Sequence, residues 1–251
     1  MNTKQKMALY LLSLISLLGL WQLLANQLNA MILASPWQTL MKLSELTLTA
    51  EFWQQLLVTL KRLLYALSIA CSIGFILGLI AGRHAWLKFY LTPFRWLLMS
   101  VPPIIVVLLA MLWFGMGSTM VVFITVLLLA PTIYINTQKS VEQIDNQWFE
   151  LAQVYQFSWY QRLSKIYIPA ISGPLCATLI IVCCSGVRIV VLAEVLGAHQ
   201  GVGYELANAS SNFDTAELYA WVTVSLSIVA LMELVLLKPI QYYLLRWREF
   251  I

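Results

Sequence analysis

Few side chains in this sequence could carry out a reaction, and their spacing does not suit one. The two histidines, His84 and His199, lie far apart, and neither belongs to a His-Glu-x-x-His pattern. A histidine-rich metal site and an intramembrane metalloenzyme are therefore not expected. The four cysteines, Cys71, Cys176, Cys183 and Cys184, sit inside apolar stretches and read as free thiols used as small hydrophobes. No lysine follows a glycine, so the Gly-Lys-Ser/Thr core of a phosphate-cradling loop is absent, and ATP hydrolysis is not expected of this chain. What remains is a short list of ionisable or backbone-breaking residues within apolar surroundings: Arg188, Glu194, Glu233, and the pair Pro102-Pro103. A charge inside a membrane span is costly and is a functional candidate by default. Arg188 reads either as a cation lining a pathway or as a snorkelling or structural arginine paired with Glu194 or Glu217. Glu233 is expected to pair with Lys238 or a neighbouring helix.

The elements that hold these residues follow from composition. Of 251 residues, 61% are hydrophobic and only 10% charged, and the mean hydropathy is +0.82. A water-soluble domain is about 25% charged, so lipid is the solvent this chain suits. The net charge of +4 is scattered without a long basic run, which argues against a nucleic-acid partner. One membrane domain, 1–251, is expected, with spans at about 7–25, 63–81, 96–114, 119–137, 168–193 and 217–237. The stretch 96–138 holds no charged residue and is too long for one helix. Gly115-Met116-Gly117-Ser118 near its middle is the turn that divides it. Six spans put both termini on one side. That side would carry eleven basic residues and the other only Lys42, Lys61 and Arg62, so the termini are expected in the cytoplasm. The chain is thus read as an all-α polytopic membrane protein.

Two packing signals stand out. Ala66, Ala70, Gly74, Gly78 and Gly82 recur every four residues and make a small-residue stripe on one helix face. It reads as packing within the chain rather than as a subunit interface. Pro102-Pro103 either bends a helix lining a pathway or marks a helix start.

The cytoplasmic segment 138–167 is the longest connection on its side and is neither low-complexity nor rich in Gly or Pro. Residues 147–156 read as a short helix, with Asp145 and Asn146 as N-capping candidates. Phe149, Ala152, Tyr155 and Trp159 recur at three- and four-residue spacing and give it one apolar face. Such a helix docks on the membrane surface or in a partner's groove.

Glu150-Leu151-Ala152, then Gln156, then Ile166-Tyr167-Ile168-Pro169 resembles the "EAA" loop of bacterial ABC importer permeases. In that pattern Glu-Ala-Ala is followed at fixed spacing by a Gly and by Ile-x-Leu-Pro. Leu151 stands for the first Ala and Gln156 for the Gly that turns the chain out of the coupling helix. Thr59-Leu60-Lys61-Arg62, Ser100-Val101-Pro102-Pro103, Leu112-Trp113-Phe114-Gly115, the run 191–198 and Gly201-Val202-Gly203-Tyr204 extend the likeness over about residues 33–248. Together they resemble the nitrate/sulfonate/taurine branch, which also includes permeases for pyrimidine vitamin precursors.

The resemblance implies the type I importer permease fold and a non-enzymatic transport subunit with no cofactor of its own. ATP and Mg would be bound by a separate ATPase subunit. The other partners it implies are a periplasmic or lipid-anchored solute-binding protein, a second permease copy in a homodimer, and membrane lipid. ATPase coupling would fall on Phe149, Glu150, Leu151, Ala152, Tyr155, Gln156, Ile166, Ile168 and Pro169, with Phe149, Ala152 and Tyr155 as the inserted face. The path or gate candidates are Pro102, Pro103, Arg188, Glu194, Gly201 and Gly203. Glu194 is either part of an external gate or a solvated helix end. The alternative is a secondary transporter needing no ATPase, although neither an inverted repeat nor a midplane acid is evident.

Overall fold

The computed structural model describes residues 3–29 and 32–237, and among them there are helices and connections but no strand. The helices are α1 (Thr3–Gln27), α2 (Pro36–Thr47), α3 (Ala50–Arg83), α4 (Ala85–Ser100), α5 (Pro103–Phe114), α6 (Ser118–Glu142), α7 (Asn146–Val154), α8 (Trp159–Arg162), α9 (Ile168–Gly197), α10 (Val202–Ser211) and α11 (Thr215–Leu231). A π-helical turn, Leu163–Tyr167, joins α8 to α9, and another, Met232–Leu237, follows α11. Among the described residues, four stretches are long and apolar enough to cross a bilayer: Ala50–Arg83, Ser118–Glu142, Trp159–Gly197 and Thr215–Leu234. The pair α4–α5 meets the same measure when taken together.

That pair differs from the single straight helix expected over 96–114. α4 and α5 meet at 98°. Pro103 begins α5 and Pro102 caps it with φ −57° and ψ 136°. Neither proline can donate a helical N–H, and residues before proline are driven out of the α region. The break therefore falls at Val101-Pro102, and both readings of the diproline hold at once, since it bends the chain and starts a helix. Residues 85–95, expected as loop, belong to α4. The Gly115–Gly117 turn does separate α5 from α6. Its two glycines have φ of +70° and +142°, which side-chain-bearing residues rarely adopt.

The framework is the packing of α3 on α6. A Cβ at Gly74, Gly78 or Gly82 would lie 2.7, 2.7 or 2.6 Å from the Cβ atoms of Ile133, Thr137 and Val141, respectively. Two four-residue ladders thus meet with their backbones nearly touching, and the small stripe of α3 is used within the chain. The core continues through Leu63, Leu67, Val107, Met120, Ile124, Val187, Val190 and Trp221. A second cluster of Leu79, Val141, Tyr167 and Ile171 closes the other end, next to the 138–167 segment. α2 is fastened to α11 by Lys42, whose Nζ lies 3.4 Å from Asp214 and 3.2 Å from Glu217.

Candidate functional site

One end of the bundle holds a buried polar cluster. Gln55, Thr59 and Arg62 lie at i, i+4 and i+7 on α3 and so share one face. Opposite them is Glu194, near the end of α9 and fully buried at 0% exposure. Arg62 Nη1 donates to Glu194 Oε1 and to the Gln200 carbonyl, each at 2.7 Å, while Nε donates to Ser118 Oγ at 2.9 Å. Thr59 Oγ1 donates to the Glu194 carboxylate, whose oxygens lie at 3.0 and 2.9 Å. The arginine, 5% exposed, is buried as a matched pair with its partner. A lone charge there would be strongly unfavourable.

The same residues cap α10 from outside. The N–H groups of Gly201, Val202 and Gly203 donate to Gln55 Oε1 (2.7 Å), Thr59 Oγ1 (2.8 Å) and Glu194 Oε2 (3.0 Å). These are among the donors that a helix start leaves unsatisfied, and a carboxylate suits the positive end of the helix dipole. Gly201, at φ +113°, and Gly203 are both required by this fit. A Cβ on Gly201 would strike the Glu194 carboxylate, and one on Gly203 would strike the Val191 carbonyl. Gln55 Nε2 also donates to Glu205 Oε1 at 2.8 Å. Burial raises the Glu205 pKa above the ordinary carboxylate range, and the nearby charges of Glu51 and Glu217 add to the rise; hydrogen bonds from Asn208 and Gln55 oppose it. The cluster ties α3, α6, α9 and α10 into one piece. Its carboxylates are occupied by the protein itself, and among the described residues no group of His, Cys, Asp or Glu could hold a metal.

This overturns three expectations. Glu194 is no solvated helix end. Arg188 pairs with neither Glu194 nor Glu217, which are engaged by Arg62 and Lys42; Arg188 is exposed on α9. Arg62, counted as a charge flanking a span, is instead inside the bundle. The sequence held a signal for this. Arg62 is the next member, four residues back, of the ladder Ala66, Ala70, Gly74, Gly78 and Gly82, so it had to face the same packed interior. Gln55 and Thr59 were missed with it. The bend residues Pro102 and Pro103 are exposed and take no part in the cluster's hydrogen bonds. Glu233 is exposed, and Lys238 lies outside the described residues.

At the other end, Asp145 caps α7, its Oδ1 accepting from the Gln147 N–H at 3.0 Å. α7 ends in a tight reversal. The Phe157 N–H donates to the Ala152 carbonyl at 2.9 Å and the Gln156 N–H to the Gln153 carbonyl at 3.0 Å. This is the double bond pattern that closes a helix on a left-handed residue. Gln156 is that residue, with φ +50°, so it takes the conformation a glycine would take, at a strain of about 1 kcal/mol. Beyond it, Ser158 and Gln161 cap α8 reciprocally. Pro169 has no N–H to give the Lys165 carbonyl and crowds it. The chain widens into the π turn just before it, with the Ile168 N–H reaching back to the Leu163 carbonyl.

The expected apolar face of this segment is not one surface. Ala152 is fully buried within the chain, whereas Tyr155 is 67% exposed. The side chain of Phe149 lies outside the described residues. The face that is open runs through Trp148, Leu151, Val154 and Tyr155, with Glu150 exposed beside it. Ile166 is buried, while Ile168 and Pro169 are exposed.

Three comparisons place this architecture. SsuC of Bacillus subtilis (strain 168), named for aliphatic sulfonates transport, is 26% identical over 93% of this chain and 85% of its own length. TauC of Escherichia coli (strain K12), a taurine transport system permease protein, is 26% identical over 92% of this chain and 86% of its own. A chain of the MetNI methionine ABC transporter, in an inward-facing conformation, superimposes with a TM-score of 0.59 at 15% identity, covering 79% of this chain and 93% of that one. Residues 74–248 match the family described as binding-protein-dependent transport system inner membrane component. The chain belongs to that family, the permeases of ABC importers, and is a multi-pass protein of the bacterial inner membrane.

Proposed function

We propose that this chain forms the translocation path for a small solute and is moved by a separate ATPase that grips α7. The observation that carries this reading is the exposed stripe Trp148, Leu151, Val154 and Tyr155 on a short helix outside the spans, held by a glycine-like turn at Gln156. An amphipathic helix presented in this way suits a groove on a partner. In this reading Glu150, Leu151 and Tyr155 touch the motor, and Phe149 does so from the same helix. Ala152 and Ile166 fasten the helix to its own chain, while Gln156 shapes the turn. Ile168 and Pro169 begin the rod, α9, that carries movement into the bilayer. Alternating access then follows from the ATPase shifting the balance between two packings of the bundle.

Six spans with cytoplasmic termini fit this arrangement. It would put eleven basic residues on the inner side against Lys42, Lys61 and Arg62 on the outer. The ATPase, a solute-binding protein and a second permease copy are the partners. The solute belongs to the class for which the relatives are named: an aliphatic sulfonate, taurine or a formylaminopyrimidine. Arg188, Pro102 and Pro103 are the exposed candidates for lining the path, and Glu194, Gly201 and Gly203 brace its end.

The test is co-purification of the complex with its ATPase, together with uptake of labelled solutes. Glu150→Lys and Leu151→Asp should each release the ATPase and abolish uptake while leaving the permease folded. Retention of the ATPase and of uptake by both variants would sink the proposal.

A further inference from the structure

We propose that Phe213, at the turn between α10 and α11, is the aromatic anchor on which the solute-binding protein docks, within an acidic patch that selects a basic partner surface. The inference rests on the reading above, which puts the end of the bundle opposite α7 outside the cell. α9 runs 30 residues, about 45 Å, from the α7 end to Gly197, and α10 follows it there. At the end of α10 the Phe213 N–H donates to the Ser210 carbonyl at 3.2 Å and the Asp214 N–H to the Ala209 carbonyl at 3.1 Å. This pattern closes a helix on a left-handed residue, usually glycine and sometimes asparagine. Phe213 stands there instead, at φ +56°, with 80% of its surface exposed. A bulky side chain in this region is an outlier. Apart from Gln156, every other positive φ among the described residues belongs to a glycine. The turn therefore carries backbone strain together with an uncovered aromatic ring. Strain of this kind persists where it serves a ligand clamp or a binding contact.

The charges around the ring say what covers it. Asp214 follows Phe213 directly and is bridged through Lys42 to Glu217. Glu217 and Glu51 both act electrostatically on Glu205, so these acids share one patch. Glu51 is exposed and makes no ion pair among the described residues. Four carboxylates thus stand against the ammonium of Lys42. Arg62 does not alter the balance, because Glu194 matches it. Lys61 lies ten residues beyond Glu51 on α3, about 15 Å towards the bilayer. Such a patch repels anionic lipid headgroups and a free sulfonate alike. A protein surface with an apolar pocket ringed by lysine and arginine complements it. Aromatic side chains that fill such pockets carry much of the affinity of a protein contact, and the charges around them set its rate and specificity.

The experiment uses the transporter with its ATPase in proteoliposomes, and follows uptake of labelled solute against the concentration of its solute-binding protein. Phe213→Asn keeps the left-handed turn and removes the ring. It should raise the half-saturating concentration about tenfold, leave uptake at saturation unchanged, and raise the thermal midpoint by about 2 °C. Phe213→Tyr, which keeps the ring, should behave as the wild type. Glu51→Lys should raise the half-saturating concentration and weaken its dependence on salt. Lys139→Gln, at the opposite end, should change neither. Phe213→p-benzoylphenylalanine should cross-link to the solute-binding protein on illumination. An unchanged half-saturating concentration in Phe213→Asn overturns the inference while leaving the functional reading intact. So does a lowered midpoint, which would mark a structural role, or cross-linking only to lipid or to a second permease. Uptake that needs no solute-binding protein removes the functional reading and this inference with it.

Discussion

Removing one member of the buried Arg62–Glu194 pair should be among the most damaging single changes available in this fold. Arg62 supplies three hydrogen bonds, to Glu194, Gln200 and Ser118. Its replacement by Met strands a carboxylate at 0% exposure with only Thr59 and the Gly203 N–H left as donors. Breaking a buried pair from one side costs about 3–5 kcal/mol. Summing three charged bonds at about 1.5–3 kcal/mol each would give more. The lower figure is the one to expect, since Thr59 and Gly203 still hold the carboxylate. Glu194→Gln should cost a similar amount, because the amide keeps the shape but leaves the guanidinium unpaired. The double variant Arg62→Met/Glu194→Gln should cost clearly less than the sum of the two, since neither charge then remains. Denaturant unfolding of the purified protein in detergent, run as a double-mutant cycle, measures this. Single costs below about 1 kcal/mol, or additive ones, would refute the reasoning.

Other outcomes follow from single positions. Gln156→Gly should stabilise the protein by about 1 kcal/mol by relieving the left-handed strain, and Gln156→Val should destabilise it, as read by the thermal midpoint. Gly78→Ala should destabilise it by about 1–3 kcal/mol, because the added Cβ meets Thr137 at 2.7 Å and the Tyr134 carbonyl at 2.8 Å. Gly19→Ala, with nothing within 4 Å, should be neutral or slightly stabilising in the same assay. The raised pKa of Glu205 means that the folded state holds its proton more tightly than the unfolded chain does. Its contribution to stability is then fully present below the ordinary value of 4.5 and is lost as pH rises through the folded-state value. Glu205→Gln, which keeps the acceptor for Gln55, should flatten that part of the stability profile. An unchanged pH slope in the variant would count against it.

How much was legible in the sequence differs between the two ends of the molecule. The 146–169 segment was readable because its signals are local. Asp145 caps, Gln156 turns and Pro169 disrupts within a few residues of where each stands. Even so, periodicity could not decide which flank of α7 faces inward. Ala152 packs against its own chain and the stripe from Trp148 to Tyr155 is left open, an outcome set by what the rest of the chain places beneath the helix. The diproline likewise announced a break, but not that the two helices would meet at 98°.

The solvent, the all-helical class and the family could be read along the chain, because each depends on composition or on short-range spacing: 61% apolar residues, a four-residue ladder of small side chains, and a motif of fixed length. The partners of the charges emerge only from the packed fold. Arg62 and Glu194 are 132 residues apart, and Gln55 and Glu205 are 150 apart. The ladder of small residues turns Arg62 toward the packed face of α3, but nothing local names the carboxylate it meets there. That choice is made when α3 and α9 pack, because desolvation then makes any partner but a carboxylate too costly.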